Sequence, residues 1–199
     1  MIGNEVSNAE SAILYKAWEA NKLRTHKSEL GKVKDITICQ WPTYRTRSID
    51  RLRIGDEHGL QGRFQQDIGQ AFGVVVEAKS INLYFADFKS SGSNYGNISD
   101  VVGLQDVGGN TTIKLVGELK TPWVIKHDLH SAVRRIRELR QKIAQPVRDM
   151  QALGCDYGFI STYNHTIFLR QLQSPSGTWE VWYSPPISSS SYHPTVPNP

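Results

Sequence analysis

The chain has few cysteines and no long hydrophobic run. Cys39 and Cys155 are the two cysteines in 199 residues, too few for a disulfide framework and without the spacing of a zinc site. Both lie beside apolar residues, so we expect buried free thiols. A reducing compartment, the cytoplasm or the nucleus, is the location that this composition predicts.

Other familiar signatures are missing as well. No segment approaches the roughly 20 apolar residues that span a bilayer, and the start of the chain lacks the basic-then-apolar pattern of a signal peptide. We therefore expect no membrane partner. The sequence also lacks a glycine-rich phosphate-binding loop and the Gly-x-Ser-x-Gly motif found in many serine hydrolases.

The composition that remains predicts a globular chain. With 39% hydrophobic and 21% charged residues, 199 residues can bury one substantial core. We expect a single domain over residues 1–184, with a helical arm over 7–27 and a core over about 33–184. Proline and serine dominate residues 185–199, which predicts a flexible tail. The net charge of +4 is compatible with a polyanionic partner.

Helical and strand patterns alternate along the chain. Apolar residues at a spacing of four predict a helix over 59–72, and the strongest amphipathic pattern follows Trp123, with a break or kink expected at Pro146. Strand patterns cover 33–41, 74–76, 81–88, the segments around Asp100 and Glu118, 157–162, 166–171 and 179–183. This order predicts an α/β fold with a central mixed sheet flanked by helices.

Two of these strands carry the candidate site. Asp100 precedes one short apolar run, and Glu118 and Lys120 end the next. Because strand side chains repeat with a period of two, Glu118 and Lys120 share one face, predicted to be polar. Pairing of the two strands would place Asp100 beside Glu118. Two carboxylates with a neighbouring ammonium predict a site for Mg²⁺ or Mn²⁺ and a phosphate.

The Glu-x-Lys pattern is common, and a second copy, Glu77-Ala78-Lys79, lies in another apparent strand. A solvated strand face with an ordinary ion pair is therefore the alternative. Context favours Glu118, which has an acidic partner upstream and a basic helix downstream. Phosphodiester hydrolysis gives each residue a role: the carboxylates hold the metal, and Lys120 orients water or stabilises developing charge.

Basic side chains surround the candidate site in sequence. They lie on the helix after Trp123, chiefly at Arg134, Arg137 and Arg140, and in an earlier segment at Arg45 and Arg47. Such charge predicts binding to a nucleic-acid backbone with little sequence specificity, to DNA more than to RNA. A solvated surface and a protein partner are the alternatives.

These motifs resemble a known family. Ser99-Asp100, then Gly117-Glu118-Leu119-Lys120, then a helix with a glutamine, resemble the PD-(D/E)xK, or restriction-endonuclease-like, nuclease superfamily. More narrowly, residues 117–123 and 156–163 are similar to nuclease-like domains of fungal proteins that often also carry a kinase-like domain. The resemblance covers roughly residues 59 to 186.

The resemblance implies a fold, an activity and a site. The fold would be a restriction-endonuclease-like core, and the activity that of an Mg²⁺-dependent nuclease. Asp100 and Glu118 would be the metal ligands, Lys120 the catalytic lysine and Gln145 the helix glutamine. Gln61 would stand on the first core helix, where related domains often carry a glutamate.

Some positions depart from the family pattern. Asp149 stands four residues after Gln145, where relatives often have a tyrosine, and Pro146 interrupts the predicted helix. Ser99 replaces the proline of the motif name. The alternative interpretation is therefore a weak or inactive nuclease-like scaffold that binds a protein or nucleic acid, as an effector or toxin component. A secreted effector whose signal peptide has been removed is part of that alternative.

Overall fold

The computed structural model describes residues 54–97, 99–175 and 177–189, together with the backbone of the strand Leu23–Lys27. The predicted strand over 33–41, Cys39, Arg45 and Arg47 lie outside these residues. So does most of the predicted helical arm over 7–27. Its last five residues form a strand, so the helix prediction is wrong there.

The first helical segment is longer than the sequence predicted. Helix α1 covers Glu57–Phe64, a π-helical turn covers Gln65–Gly69, and helix α2 covers Gln70–Ala78. The valine run over 74–76, predicted as a strand, lies in α2. Helix extension adds one hydrogen bond per residue once a nucleus exists, so a short β-favouring run does not stop it.

The second helical segment is interrupted once, but not at the proline. Helix α3 covers Leu129–Ala132 and helix α4 covers Ile136–Leu153. Pro146 lies inside α4, so the predicted break there is wrong. Its neighbours Ile143 and Val147 are fully buried, and this packing holds the helix together although proline removes one backbone hydrogen bond.

The strands form one sheet. They are β1 (Leu23–Lys27), β2 (Tyr84–Ala86), β3 (Val101–Val107), β4 (Asn110–Leu119), β5 (Tyr157–Ser161), β6 (His165–Gln173), β7 (Trp179–Tyr183) and β8 (Ile187–Ser188). Within the described residues the order is β1-β7-β6-β5-β4-β3-β2, and β8 pairs with β6. The pairs β1–β7 and β4–β5 are parallel, and the remaining pairs are antiparallel. The predicted mixed α/β fold with a central sheet is confirmed.

Some strand boundaries differ from the prediction. The strand expected over 81–88 is reduced to β2, because a 3₁₀ turn, Phe88–Ser91, follows Asp87. Strand β8 lies within residues 185–199, the segment predicted to be a flexible tail. A glycine turn joins β3 to β4, with φ of 59° at Gly108 and 83° at Gly109. Positive φ at both positions is the geometry of a tight hairpin turn.

The sheet is covered on both faces next to the candidate site. Val116 and Ile160 belong to one buried cluster with residues of α4. Leu119 and Phe159 belong to another with residues of α1. The end of β4 is therefore buried between two helices, so the solvated strand face that was the alternative for Glu118 does not form. In the described ranges, no helix has both the length and the hydrophobicity of a membrane span.

Gly117 is required by close packing beside the site. A Cβ at this position would overlap the Phe159 ring of the neighbouring strand β5. That ring in turn stacks on Phe64 of α1, with centroids 5.5 Å apart. The absence of a side chain at Gly117 therefore lets α1 lie close to the strand that carries Glu118.

Replacing Gly117 by alanine should destabilise the protein by about 1–3 kcal/mol, because the added methyl forces the Phe159 ring out of place. Denaturant unfolding measures this effect. Gly73→Ala in α2 is the matched control, since its Cβ would meet open space and alanine favours a helix by about 1 kcal/mol. Equal stability of the two variants would contradict this view of the packing.

Candidate active site

The candidate site lies at one end of the β3–β4 pair. Val101 pairs with Gly117 in antiparallel register, so Asp100 and Glu118 come from adjacent strands, as predicted. Helix α1 contributes Gln61, and helix α4 contributes Gln145 from the opposite face of the sheet. The site is thus assembled from four separate elements.

Glu118 is the buried centre of the site, with 2% of its surface exposed. Lys120 Nζ lies 2.5 Å from Glu118 Oε1, which confirms that the two side chains share a face. Gln145 Nε2 donates a hydrogen bond of 2.7 Å to Oε2. Lys120 Nζ also lies 3.8 Å from Glu57 Oε1 of helix α1. Both oxygens of the buried carboxylate are therefore engaged.

Asp100 is held on both of its oxygens as well. Gln61 Nε2 donates a hydrogen bond to Oδ1. The backbone N–H of Leu119 donates to Oδ2 at 2.7 Å, which brings this carboxylate across to β4, directly after Glu118. A carboxylate has about four lone-pair sites, so each oxygen still has capacity for a further partner.

The electrostatics of the site are dominated by burial. Burial, followed by the charge of Asp100, raises the pKa of Glu118 to about 8, against the opposing effect of Lys120. The pKa of Asp100 is also raised by burial, although its bond from the Leu119 N–H opposes this. Burial lowers the pKa of Lys120, but the carboxylates of Glu118, Glu57 and Asp100 together outweigh burial, and the pKa is raised. Ionising both buried carboxyls beside one ammonium is thus unfavourable, and a bound cation would favour the ionised form of both.

The structure brings together five of the residues singled out from the sequence: Asp100, Glu118, Lys120, Gln61 and Gln145. The second Glu-x-Lys copy is different. Glu77 and Lys79 are exposed at the end of α2, where neither side chain is buried beside a second carboxylate. This contrast agrees with the context argument that favoured Glu118.

The basic residues of the α3–α4 region differ in exposure. Arg134 and Arg137 are exposed, whereas Arg140 is partly buried. Arg134 Nη2 lies 3.4 Å from His130 Nε2. Arg135 Nη1 forms an ion pair with Glu138 Oε1 at 2.7 Å. Arg134 and Arg137 are therefore the positions at which a phosphate can approach most readily.

Asp149 is a structural anchor that sequence reasoning treated only as a departure from a family pattern. Its carboxylate is 1% exposed and accepts hydrogen bonds from Tyr95 Oη at 3.0 Å and Ser99 Oγ at 3.2 Å. Arg148 also lies within 3.0 Å of it. Ser99 directly precedes Asp100. The i, i+4 spacing of Gln145 and Asp149 was the available signal, since it places both on one helix face.

The donor set can be compared with the needs of a metal ion. Within the residues that the structure describes, no group of three or more His, Cys, Asp and Glu side chains is arranged to hold one. Asp100 and Glu118 provide two carboxylates. Mg²⁺ is commonly held by one or two carboxylates, with waters and substrate phosphates completing its shell. The two carboxylates therefore fit such an ion.

No known protein-family model, curated protein or solved structure matches this chain. The resemblance to the PD-(D/E)xK superfamily therefore rests on the motif residues alone.

The raised pKa of Glu118 makes stability depend on pH. The Glu118 carboxyl binds a proton more tightly in the folded state than in the unfolded state. Its contribution to stability is therefore full at a pH below its ordinary pKa of 4.5, and it is lost as the pH rises through about 8. In a chelator, the free energy of unfolding should therefore fall between pH 5 and 8, by up to about 1.4 kcal/mol per pH unit.

Denaturant unfolding at a series of pH values measures this slope. Glu118→Gln should flatten it, because the amide does not titrate. Glu77→Gln, which changes an exposed carboxylate of the other Glu-x-Lys copy, should leave the slope as in the wild type. A wild-type slope that survives Glu118→Gln would show that another group is responsible.

Proposed function

We propose that this protein is a metal-dependent nuclease that hydrolyses phosphodiester bonds, in DNA, with little sequence specificity. The observation that carries the proposal is the buried Glu118 carboxylate, held between Lys120 and Gln145 beside Asp100. Burying two carboxylates with one ammonium is costly. A hard divalent cation would compensate that cost, and this gives the arrangement a chemical purpose.

Asp100 and Glu118 would hold Mg²⁺ or Mn²⁺ through oxygens that keep spare lone pairs. When bound, the ion supplies a Lewis acid for the phosphate and lowers the pKa of a coordinated water. Gln61 and Gln145 hold the two carboxylates in place, because each amide donates a hydrogen bond to one carboxylate oxygen. This prior orientation reduces the reorganisation that binding requires.

Lys120 supplies the positive charge. Its pKa is raised because the nearby carboxylates, Glu118 foremost, together outweigh the opposing effect of burial, so the ammonium stays charged at neutral pH. With three donors and contacts to Glu118 and Glu57, Lys120 can direct one N–H to a phosphate oxygen or to the attacking water. Stabilising charge that develops at the phosphate is the larger of these effects.

The fold and its surface support the same proposal. A central mixed sheet covered by helices on both faces, with the site at the end of adjacent strands, supports a restriction-endonuclease-like core. The exposed Arg134 and Arg137 support a nucleic-acid partner. Cys155 is a free buried thiol whose pKa is raised to about 11 chiefly by burial, which supports a reducing, intracellular location.

A binding function without catalysis is the second candidate. The observation that favours it is Gln61, since an amide rather than a third carboxylate contacts Asp100. In that case the protein would be a nuclease-like scaffold that binds a nucleic acid or a protein. The predicted break in the helix of Gln145 no longer supports this candidate, because α4 is continuous there.

Cleavage assays separate the two candidates. The purified protein should cut DNA with Mg²⁺ or Mn²⁺ and not with a chelator. Glu118→Gln and Lys120→Ala should each lower the rate by about 10²-fold or more, because each removes a charge that acts on the transition state. Lys79→Ala, in the second Glu-x-Lys copy, should cut as the wild type does.

Circular dichroism and thermal unfolding of each variant should accompany the assay, because Glu118 is buried. Loss of cleavage with retained folding supports a catalytic role. Absence of metal-dependent cleavage by the wild type on single-stranded DNA, duplex DNA and RNA would favour the binding scaffold instead.

Binding to DNA should be electrostatic. Reversing Arg134 and Arg137 to glutamate should weaken binding and reduce the slope of log Kd against log salt by on the order of 2, about one for each phosphate that is no longer neutralised. The control reverses Lys79 and Lys89, two exposed lysines, with the same change in net charge. Affinity that does not respond to salt would indicate a protein partner.

A further inference from the structure

The loop that follows Lys120 exposes a large aromatic side chain. Trp123 is 52% exposed, and Ile125 is 93% exposed in the 3₁₀ turn Ile125–His127. Tryptophan is usually highly buried on average, so half of an indole left in solvent beside a candidate active site needs a physical reason.

Hydrogen bonds hold this loop in one shape. His127 Nδ1 donates to the Thr121 carbonyl oxygen at 3.0 Å, and His127 N donates to Val124 O at 2.7 Å. Thr121 is buried at the base of the loop. Lys142 Nζ of helix α4 donates to the carbonyl oxygen of Lys126. The loop is thus closed on itself and attached to α4, so the Trp123 backbone has a defined position relative to the site.

That position is close to the site. Trp123 is the third residue after Lys120, and a fully extended chain advances at most about 3.6 Å per residue. The two Cα atoms are therefore within about 11 Å of each other. When a phosphate of a nucleic-acid strand lies at Lys120, a base of the same strand is within reach of the indole.

The charges around the loop indicate which occupant fits. Lys126 is exposed in the loop, and Lys120 lies at its base. An aromatic face among cations is the combination by which proteins bind single-stranded nucleic acids, because bases stack on the ring while phosphates meet the charges. Inside a duplex both faces of a base are already stacked on its neighbours, so only an unpaired base can stack on Trp123.

We infer that Trp123 is the stacking platform for an unpaired nucleobase beside the cleaved phosphodiester, so that single-stranded nucleic acid is the substrate class. The inference rests on the proposed function and specifies its substrate. Stacking of one base on an aromatic side chain contributes about 1–3 kcal/mol by alanine substitution.

The test is a binding measurement on the full chain in a chelator, which prevents cleavage. A labelled DNA strand and the blunt duplex formed with its complement are the probes, and fluorescence anisotropy is the readout. Trp123→Ala should weaken binding of the single strand about 5- to 150-fold, from the stacking energy, and leave binding of the duplex unchanged. Trp123→Phe should restore most of the affinity, since phenylalanine keeps an aromatic face.

Two matched controls separate stacking from general effects. Tyr157 is 49% exposed and is the first residue of β5, where it pairs with Leu115 in the middle of β4; Tyr157→Ala should bind the single strand as the wild type does. Ile125→Ala removes the most exposed apolar side chain of the loop and should also have no effect. If Ile125→Ala weakens binding of the single strand as much as Trp123→Ala does, the effect comes from the apolar surface of the loop in general and not from base stacking, and the inference is overturned.

The remaining outcomes distinguish this inference from the proposal on which it rests. If the wild type cleaves DNA but Trp123→Ala leaves single-strand affinity unchanged, or weakens strand and duplex equally, stacking is refuted and the nuclease stands. If the wild type neither binds the probes nor cleaves with Mg²⁺ or Mn²⁺, the proposed function fails and the inference fails with it.

Discussion

The buried ion pair between Glu118 and Lys120 is the interaction on which the rest of the site depends. A carboxylate with 2% exposure persists in a protein only when other groups satisfy it. Here β4 supplies Lys120 and α4 supplies Gln145. The strand and the helix therefore have to meet in one register, and that register also sets the packing of the core on this face of the sheet.

The second carboxylate, that of Asp100, adds an unfavourable electrostatic interaction with Glu118 that the fold maintains. Asp100 is drawn towards β4 by the N–H of Leu119, and its charge raises the pKa of Glu118 further. Natural proteins concentrate such unfavourable electrostatics at functional sites, where a ligand or a reaction removes the conflict. The surrounding core, with Leu119 and Phe159 packed against α1, provides the stability that offsets it.

The sequence predicted the site better than the elements that build it. Residue spacing placed Glu118 and Lys120 on one face, and strand order placed Asp100 beside them, because both depend on local periodicity. Sequence reasoning failed where the surrounding structure outweighs local preference: the 74–76 valines continue helix α2, and Pro146 is packed within α4. The burial of Glu118 was also missed, since alternation along one strand does not reveal that helices cover both faces of the sheet. The role of Asp149 was missed because its partners Tyr95 and Ser99 are about 50 residues away in the sequence.

Helix α4 supports both halves of the site. Gln145 holds Glu118, and Asp149, one turn further, holds Ser99 beside Asp100. Four residues of an α-helix rise about 6 Å, a length fixed by the backbone hydrogen bonds rather than by any side chain. The helix therefore fixes the spacing between the contact to Glu118 and the contact to Ser99, which lie on β4 and directly before β3. A shift of α4 along its axis would carry both supports together and leave their separation unchanged, whereas local unwinding between them would change it.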